Sequence, residues 1–383
     1  MSRLLPLAWR AAAAGVLALS AGCSLLPATL GGTVEKPKPA ELQANPNLIG
    51  VRQAWTGKLG AVDFPLVVTV SGNVAALASS DGTVAGFDAA TGREQWRGSA
   101  GAPLAAGVGF DGSTAAVITR NNEVVAFASG KEVWRQQLTA LSYTPPLVAG
   151  ARVFVLGADR AVTAFDGGTG RRLWSQQRTG DPLVLRQAGV LMPVGDTLVV
   201  GLGGRLVGLN PLNGTVRWES TIASARGIND VERLVDLVGR VSRTGDTVCA
   251  RAFQAAVGCV DTARSQVLWT QRADGSEGVH GDDANVFGTE RDGKVVSWRR
   301  DNGQRAWTTD RLLHRGLGAP LALGRSVVVG DSFGFVHMLN REDGTLLNRL
   351  ATDGSAIAAA PVAAGNTLIV VTRTGSVYGF VPQ

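Results

Sequence analysis

Between Ser113 and Gln137 the chain reads "STAAVITR", then "EVVAF", then "EVWRQQ", three short stretches whose apolar positions recur at every second residue. A period of two sends successive side chains to opposite faces of a strand, so each stretch predicts a β-strand. Asn121-Asn122 and Ser129-Gly130 lie between them and are residue types that turn the backbone readily. A fourth strand is expected ahead of these three, often opening on a proline: Pro65, Pro103, Pro146, Pro193, Pro320 or Pro361. Proline cannot donate to a sheet ladder, so such a strand belongs at a sheet edge, here one lining a central channel. The 3.6-residue period of a helical repeat does not appear.

The same sentence returns along the chain. "DGTVAGFDAATGREQW" (Asp81 to Trp96) is repeated as "DRAVTAFDGGTGRRLW" (Asp159 to Trp174), and worn copies follow. Trp55, Trp96, Trp134, Trp174, Trp218, Trp269 and Trp307 are 41, 38, 40, 44, 51 and 38 residues apart, and 41 more reach Asn348, where the turn "EDGT" survives without its tryptophan. That makes eight copies of one four-stranded unit, a spacing that predicts a propeller. Each indole should pack between neighbouring blades, and the Thr-Gly ahead of it (Thr91-Gly92, Thr169-Gly170) should supply a positive-φ turn. The first copy has an outer strand, "VRQAWTGKLG", with nothing before it, and the last has three strands with nothing after them. The fold class is therefore all-β, an eight-bladed β-propeller closed by the N-terminal strand in the last blade. Closure of this kind removes open sheet edges. The long fifth interval, holding "SARGINDVERLVDLVGR", leaves room for a short helix or an extended loop.

The head of the chain follows other rules. Arg3 and Arg10 flank a short leader, "AAAAGVLAL" is too brief for a stable span, and "SAGC" ends at Cys23. These are the features of an export signal, and Ala21-Gly22-Cys23 resembles a bacterial lipobox, with Ser20 where such signals prefer leucine. Ser24 after the cysteine resembles the sorting pattern for the outer membrane. Residues 1–22 are accordingly expected to be a signal peptide, residues 23–47 an acylated Cys23 with a proline-bearing flexible tether, and residues 48–383 the propeller. Acyl chains would anchor it through about 0.8 kcal/mol per buried methylene. Composition changes the picture little: 50 glycines suit many tight turns, and mean hydropathy of +0.12 suits a globular domain. The net charge of +6 is spread along the chain, which argues against a nucleic-acid stripe.

The repeat G-x-V-x-A-F-D-x-x-T-G-x-x-x-W resembles the quinoprotein-type propeller repeat, used by quinone-cofactor dehydrogenases and by the BamB family, lipoproteins of the outer-membrane β-barrel assembly (BAM) machinery. Lipobox, tether and a bare eight-copy domain are similar to the latter over essentially the whole chain. "PLVLRQ" (Pro182 to Gln187) resembles that family's L-x-L-R segment, and "NDVERLVDLV" (Asn229 to Val238) its E-I-D-R-L-x-D-V-D stretch. The resemblance implies a non-catalytic scaffold at the periplasmic face of the outer membrane that binds the POTRA domains of BamA, and it leaves room for contact with nascent β-barrel proteins. Leu183, Leu185, Arg186 and Asp236 are the implied contact residues, with Val238 where the family has a second aspartate. Exposed leucines beside an arginine fork make a reasonable hot spot, and the Asp236 carboxylate is expected to orient Arg186 or to meet a basic partner. The alternative is that Leu183 and Leu185 are strand residues facing the core.

Catalytic signals are not found. His280, His314 and His337 fall in different copies without metal-ligand spacing, as solvated loop or strand positions would. No nucleophile elbow, phosphate loop or paired-carboxylate motif is present, and the adjacent cysteines usual in the quinone enzymes are missing. No cofactor or metal is expected. Cys249 and Cys259 flank the hairpin "ARAFQAAVG". In an exported protein such a pair suits a disulfide, whereas a one-residue slip of register would point the two to opposite faces. Two rivals remain: a periplasmic quinone-dependent dehydrogenase, and an anchored propeller that binds peptidoglycan or a polysaccharide.

Overall fold

Each expected copy folds as a four-stranded antiparallel sheet, and eight such sheets form a ring. The structure is a computed structural model that describes residues 37–178, 183–225, 228–229 and 233–383. The chain divides into residues 1–38 and a compact unit, Pro39–Gln383. The expected signal peptide, Cys23 and most of the tether lie outside the described residues, which contain strands and no helix.

Blade 1 consists of Thr69–Ser71, Val74–Ala78, Thr83–Asp88 and Glu94–Ser99, innermost to outermost. Blades 2 to 7 repeat this order. Blade 8 takes Val362–Ala364, Thr367–Val371 and Ser376–Pro382 from the C-terminus and closes with Val51–Lys58 from the N-terminus, which pairs antiparallel with Ser376–Pro382. The outermost strands carry Trp96, Trp134, Trp174, Trp218, Trp269, Trp307, Asn348 and Trp55 in turn.

The period of two survives only where one face of a strand meets solvent. In the outermost strand Glu94–Ser99 exposed and half-buried positions alternate, but in Val74–Ala78 and Thr83–Asp88 consecutive residues are buried. A middle strand is covered on both faces because each blade is stacked between two others, so apolar runs replace alternation. The prolines fall at edges as expected, with scatter. Pro146, Pro320 and Pro361 directly precede innermost strands, Pro193 lies inside one (Leu191–Val194), and Pro65 and Pro103 stand several residues ahead.

The tryptophans hold neighbouring blades together. Trp55, Trp134, Trp174, Trp269 and Trp307 each donate their indole N–H across the seam, to the carbonyls of Ala89, Gly167, Pro211, Arg300 and Arg341 at 2.7–3.0 Å. The turn that supplies each carbonyl also supplies a seat. Gly92 (φ +71°) and Gly170 (φ +71°) lie flat on Trp55 and Trp134, where a Cβ would enter the ring. In the same turns Asp88 and Asp166 accept from the backbone and hydroxyl of Thr91 and Thr169. The motif D-x-x-T-G is thus one device: a carboxylate-capped turn ending in the glycine that receives the preceding blade's indole.

Blade 7 lacks its tryptophan for a structural reason. Its neighbour, blade 8, has no third-to-fourth-strand turn, because that is where the chain begins and ends. Asn348, buried in the outermost strand, instead donates to the carbonyl of Ile49 just ahead of the closing strand (2.8 Å) and accepts from Asn45 (2.9 Å). The segment read as flexible tether is bound to the ring from Ala40 onward. Ala40 N–H donates to Leu313 O, Arg315 to Ala40 O, Arg349 to Gln43 O and Leu48 N–H to Leu347 O, at 2.8–3.1 Å. Leu42 packs against the core cluster that includes Phe287, Leu312 and Leu317.

Cys249 and Cys259 stand directly opposite each other in adjacent strands of blade 5, are fully buried, and are joined by a disulfide. His314 is exposed as expected, but the other two histidines are less solvated. His337 is fully buried, its Nε2 3.0 Å from Asp331, which also accepts from Arg315. His280 Nδ1 accepts from Ala322 N–H (3.0 Å), and burial pushes its pKa down to about 3.

Candidate functional site

The face of the ring formed by the second-to-third-strand turns and the connectors between blades carries the residues singled out from the sequence. Leu183, Leu185 and Arg186 belong to the connector from blade 3 to blade 4, and Asp236 ends the connector from blade 4 to blade 5. None lies in a strand, so the reading of Leu183 and Leu185 as alternating strand residues does not describe them. Leu183 is 38% exposed, Leu185 half-buried and Arg186 exposed. Pro182 and part of Asn229–Val238 lie outside the described residues. The described part of the long fifth interval is an extended connector, not a helix.

Asp236 does not orient Arg186. Its Oδ1 accepts from Arg160 Nη1 at 3.1 Å and its Oδ2 from the backbone N–H of Leu185 at 3.0 Å. Arg160 Nη2 reaches the carbonyl of Leu183, also at 3.1 Å. One ion pair therefore ties three segments: a turn of blade 3 and both connectors. Side chains of the pair are only 12% and 15% exposed, where such a contact is screened less than on an open surface. Arg186 instead leans over the Tyr143 ring, its guanidinium carbon 5.9 Å from the centroid, within reach of a cation–π attraction. Behind the connector, Thr144 Oγ1 accepts from Gly189 N–H (2.9 Å), and Gly189 forms a bridge to Val238. Val238 is buried at 2%, in a place where a carboxylate would lose its water.

Arg160 was missed because its signal appears only when the copies are superposed. Gly82, Asn122, Gly293, Gly334 and Gly375 occupy its place in other blades, all with positive φ. Arg160 adopts φ +62°, which costs a residue with a Cβ about 1–2 kcal/mol. A strained arginine where glycine suffices points to work done by the side chain.

The arrangement offers an apolar contact beside a cation that has no ion-pair partner among the described residues, on a loop whose shape is set by an internal ion pair. It does not place a nucleophile beside a base, and among the described residues no group of three or more His, Cys, Asp or Glu side chains gathers as metal ligands would.

The family profile described as "Outer membrane protein assembly factor BamB" matches residues 80–309. A relative from Bordetella pertussis (strain Tohama I) bearing that same name is 38% identical over 375 residues, covering 96% of each chain. The chain belongs to the BamB family. A second BamB, from Burkholderia pseudomallei (strain K96243), is 38% identical over 90% of this chain and 92% of its own. Among solved structures, BamB from Moraxella catarrhalis matches with a TM-score of 0.79 at 24% identity, over 86% of this chain and 99% of that one. Quinohemoprotein alcohol dehydrogenase from Comamonas testosteroni matches with a TM-score of 0.66 at 15% identity, over 89% and 78%. At such identities the structural matches speak for the fold alone. The sequence relatives are what separate this chain from the dehydrogenases that share its ring.

Proposed function

We propose that this chain is an outer-membrane protein assembly factor acting as a non-catalytic scaffold of the BAM complex. It is anchored at the periplasmic face by acylated Cys23 and binds the POTRA region of BamA through the connector bearing Leu183, Leu185 and Arg186. The observation that carries the assembly role is 38% identity across 96% of a chain named for it. The contact surface is supported by the geometry: Leu183 and Arg186 are exposed together, an apolar and cationic pairing of the kind that forms hot spots. Asp236 serves from behind, shaping the loop. Outward-facing carboxylates on the partner would meet Arg186 with two parallel hydrogen bonds.

A pull-down from membranes with the lipobox intact tests both parts. The native chain should recover BamA, and Arg186→Glu should recover at least tenfold less. Equal recovery would remove the contact assignment, and no recovery by the native chain would remove the partner. For the dehydrogenase alternative, dye-linked alcohol oxidation with added quinone is the direct measurement, and the scaffold reading expects none.

A further inference from the structure

The ring encloses a cup of about 900 Å³ on the connector face, and its polar groups are not explained by partner binding at the rim. Arg240, in the innermost strand of blade 5 (Leu237–Thr244), extends past blades 6 and 7 to donate through Nη1 to the carbonyl of Pro361 in blade 8 at 2.7 Å. The guanidinium thus lies as a bar across the central opening. No carboxylate pairs with it, and that is its one hydrogen bond among the described residues. Its other N–H groups keep contact with the cup. Gln187, whose buried Oε1 has no hydrogen-bond partner among the described residues, and Glu277, with Arg251 and Arg373 as charge neighbours, line the same space. The lining also includes the apolar residues Phe64, Leu66, Leu147, Leu191, Met192 and Ile357, contributed by several blades and connectors. An arginine with spare donors in a cavity of mixed apolar and polar lining marks a ligand site. The cup is large enough for several residues of extended chain, and its walls are the free edges of the innermost strands, which can hydrogen-bond a peptide backbone.

We propose that the cup binds the carboxyl end of an extended, apolar peptide, with the terminal carboxylate on Arg240 and apolar side chains against the apolar part of the lining. A peptide fits better than a small acid because the space is several times what a lone carboxylate and one side chain would fill. Charge agrees with the assignment: burial holds the Arg240 guanidinium down at about 10, which an arriving anion would relieve. The site adjoins the rim contact assigned to BamA, because Arg186 also lines the cup, and Arg240→Gln tests it without altering Arg186.

The test is calorimetric titration of the purified full chain with acetyl-Gly-Ser-Leu-Val-Leu as the free acid and as its C-terminal amide. The acid should bind at least tenfold more tightly than the amide, and Arg240→Gln should erase that ratio. Equal binding of acid and amide, binding of neither at millimolar peptide, or a ratio that persists in Arg240→Gln would overturn the proposal. Should Arg240→Gln fail to fold, the comparison of acid with amide on the native chain decides alone.

Discussion

Asp236→Ala removes one carboxylate that serves two donors, Arg160 Nη1 and Leu185 N–H, without touching any blade strand. A hydrogen bond to a charged group contributes about 1.5–3 kcal/mol, and partial exposure of the pair reduces what the ion pair itself adds. Together the two contacts are worth about 2 kcal/mol toward closing the connector, which at 1.36 kcal/mol per decade is about a 30-fold change in its opening constant. Amide hydrogen exchange reads that constant residue by residue. The Leu185 amide should exchange about 30-fold faster in Asp236→Ala, while amides of Leu198 and Val199 in the next blade stay protected. Arg160→Ala should speed the same exchange less, because Asp236 still accepts from Leu185 N–H, and the double variant should fall short of additivity, because the two substitutions share the ion pair. Affinity for the partner should follow: once Arg160 is gone, removing Asp236 should cost less than it does in the native chain. An unchanged Leu185 amide, or full additivity of the two substitutions in partner affinity, would refute the positioning role and return Asp236 to the contact surface.

Three further outcomes test the ring itself. Gly170→Ala should lower the denaturant midpoint by the equivalent of about 2–5 kcal/mol, combining left-handed strain with a Cβ 2.6 Å from the Trp134 ring. Gly72→Ala, at φ +57° with nothing within 4 Å, should cost only the strain, about 1–2 kcal/mol; equal losses would contradict the seat. Asn348→Leu should leave the blades folded but release the bound segment, seen as new proteolytic cleavage between Ala40 and Leu48; an unchanged digestion pattern would deny Asn348 that role. Thr91, Thr169 and Thr345 hydroxyls hold Asp88, Asp166 and Asp343 below the ordinary carboxylate value of 3.8. A folded pKa below the unfolded one gives stability that is complete above the unfolded value and lost as pH falls through the folded one, so the urea midpoint should drop between about pH 5 and pH 2.5. A flat profile across that window would show that the turns do not depend on charge.

Repetition is a local property written many times, and the sequence by itself determined whatever repetition can carry. The indole spacing set the number of blades. The orphan strand around Trp55 and the missing fourth strand after Phe380 set the closure, and D-x-x-T-G set the turns, because a glycine at positive φ is demanded by the chain's own backbone. What the sequence could not decide were meetings between residues far apart, since no local rule distinguishes one partner from another at that range. The alternation of apolar residues did not reveal that middle strands are covered twice, which depends on a blade's neighbours. The loss of tryptophan at Asn348 had no meaning until the chain ends were found beside it. Asp236 was legible as a polar residue of interest, but its partner Arg160 is 76 residues away, and Arg240 meets Pro361 across 121. Such pairs exist only once the ring has closed, because closure alone brings a turn, two connectors and an opposite blade within reach of one side chain.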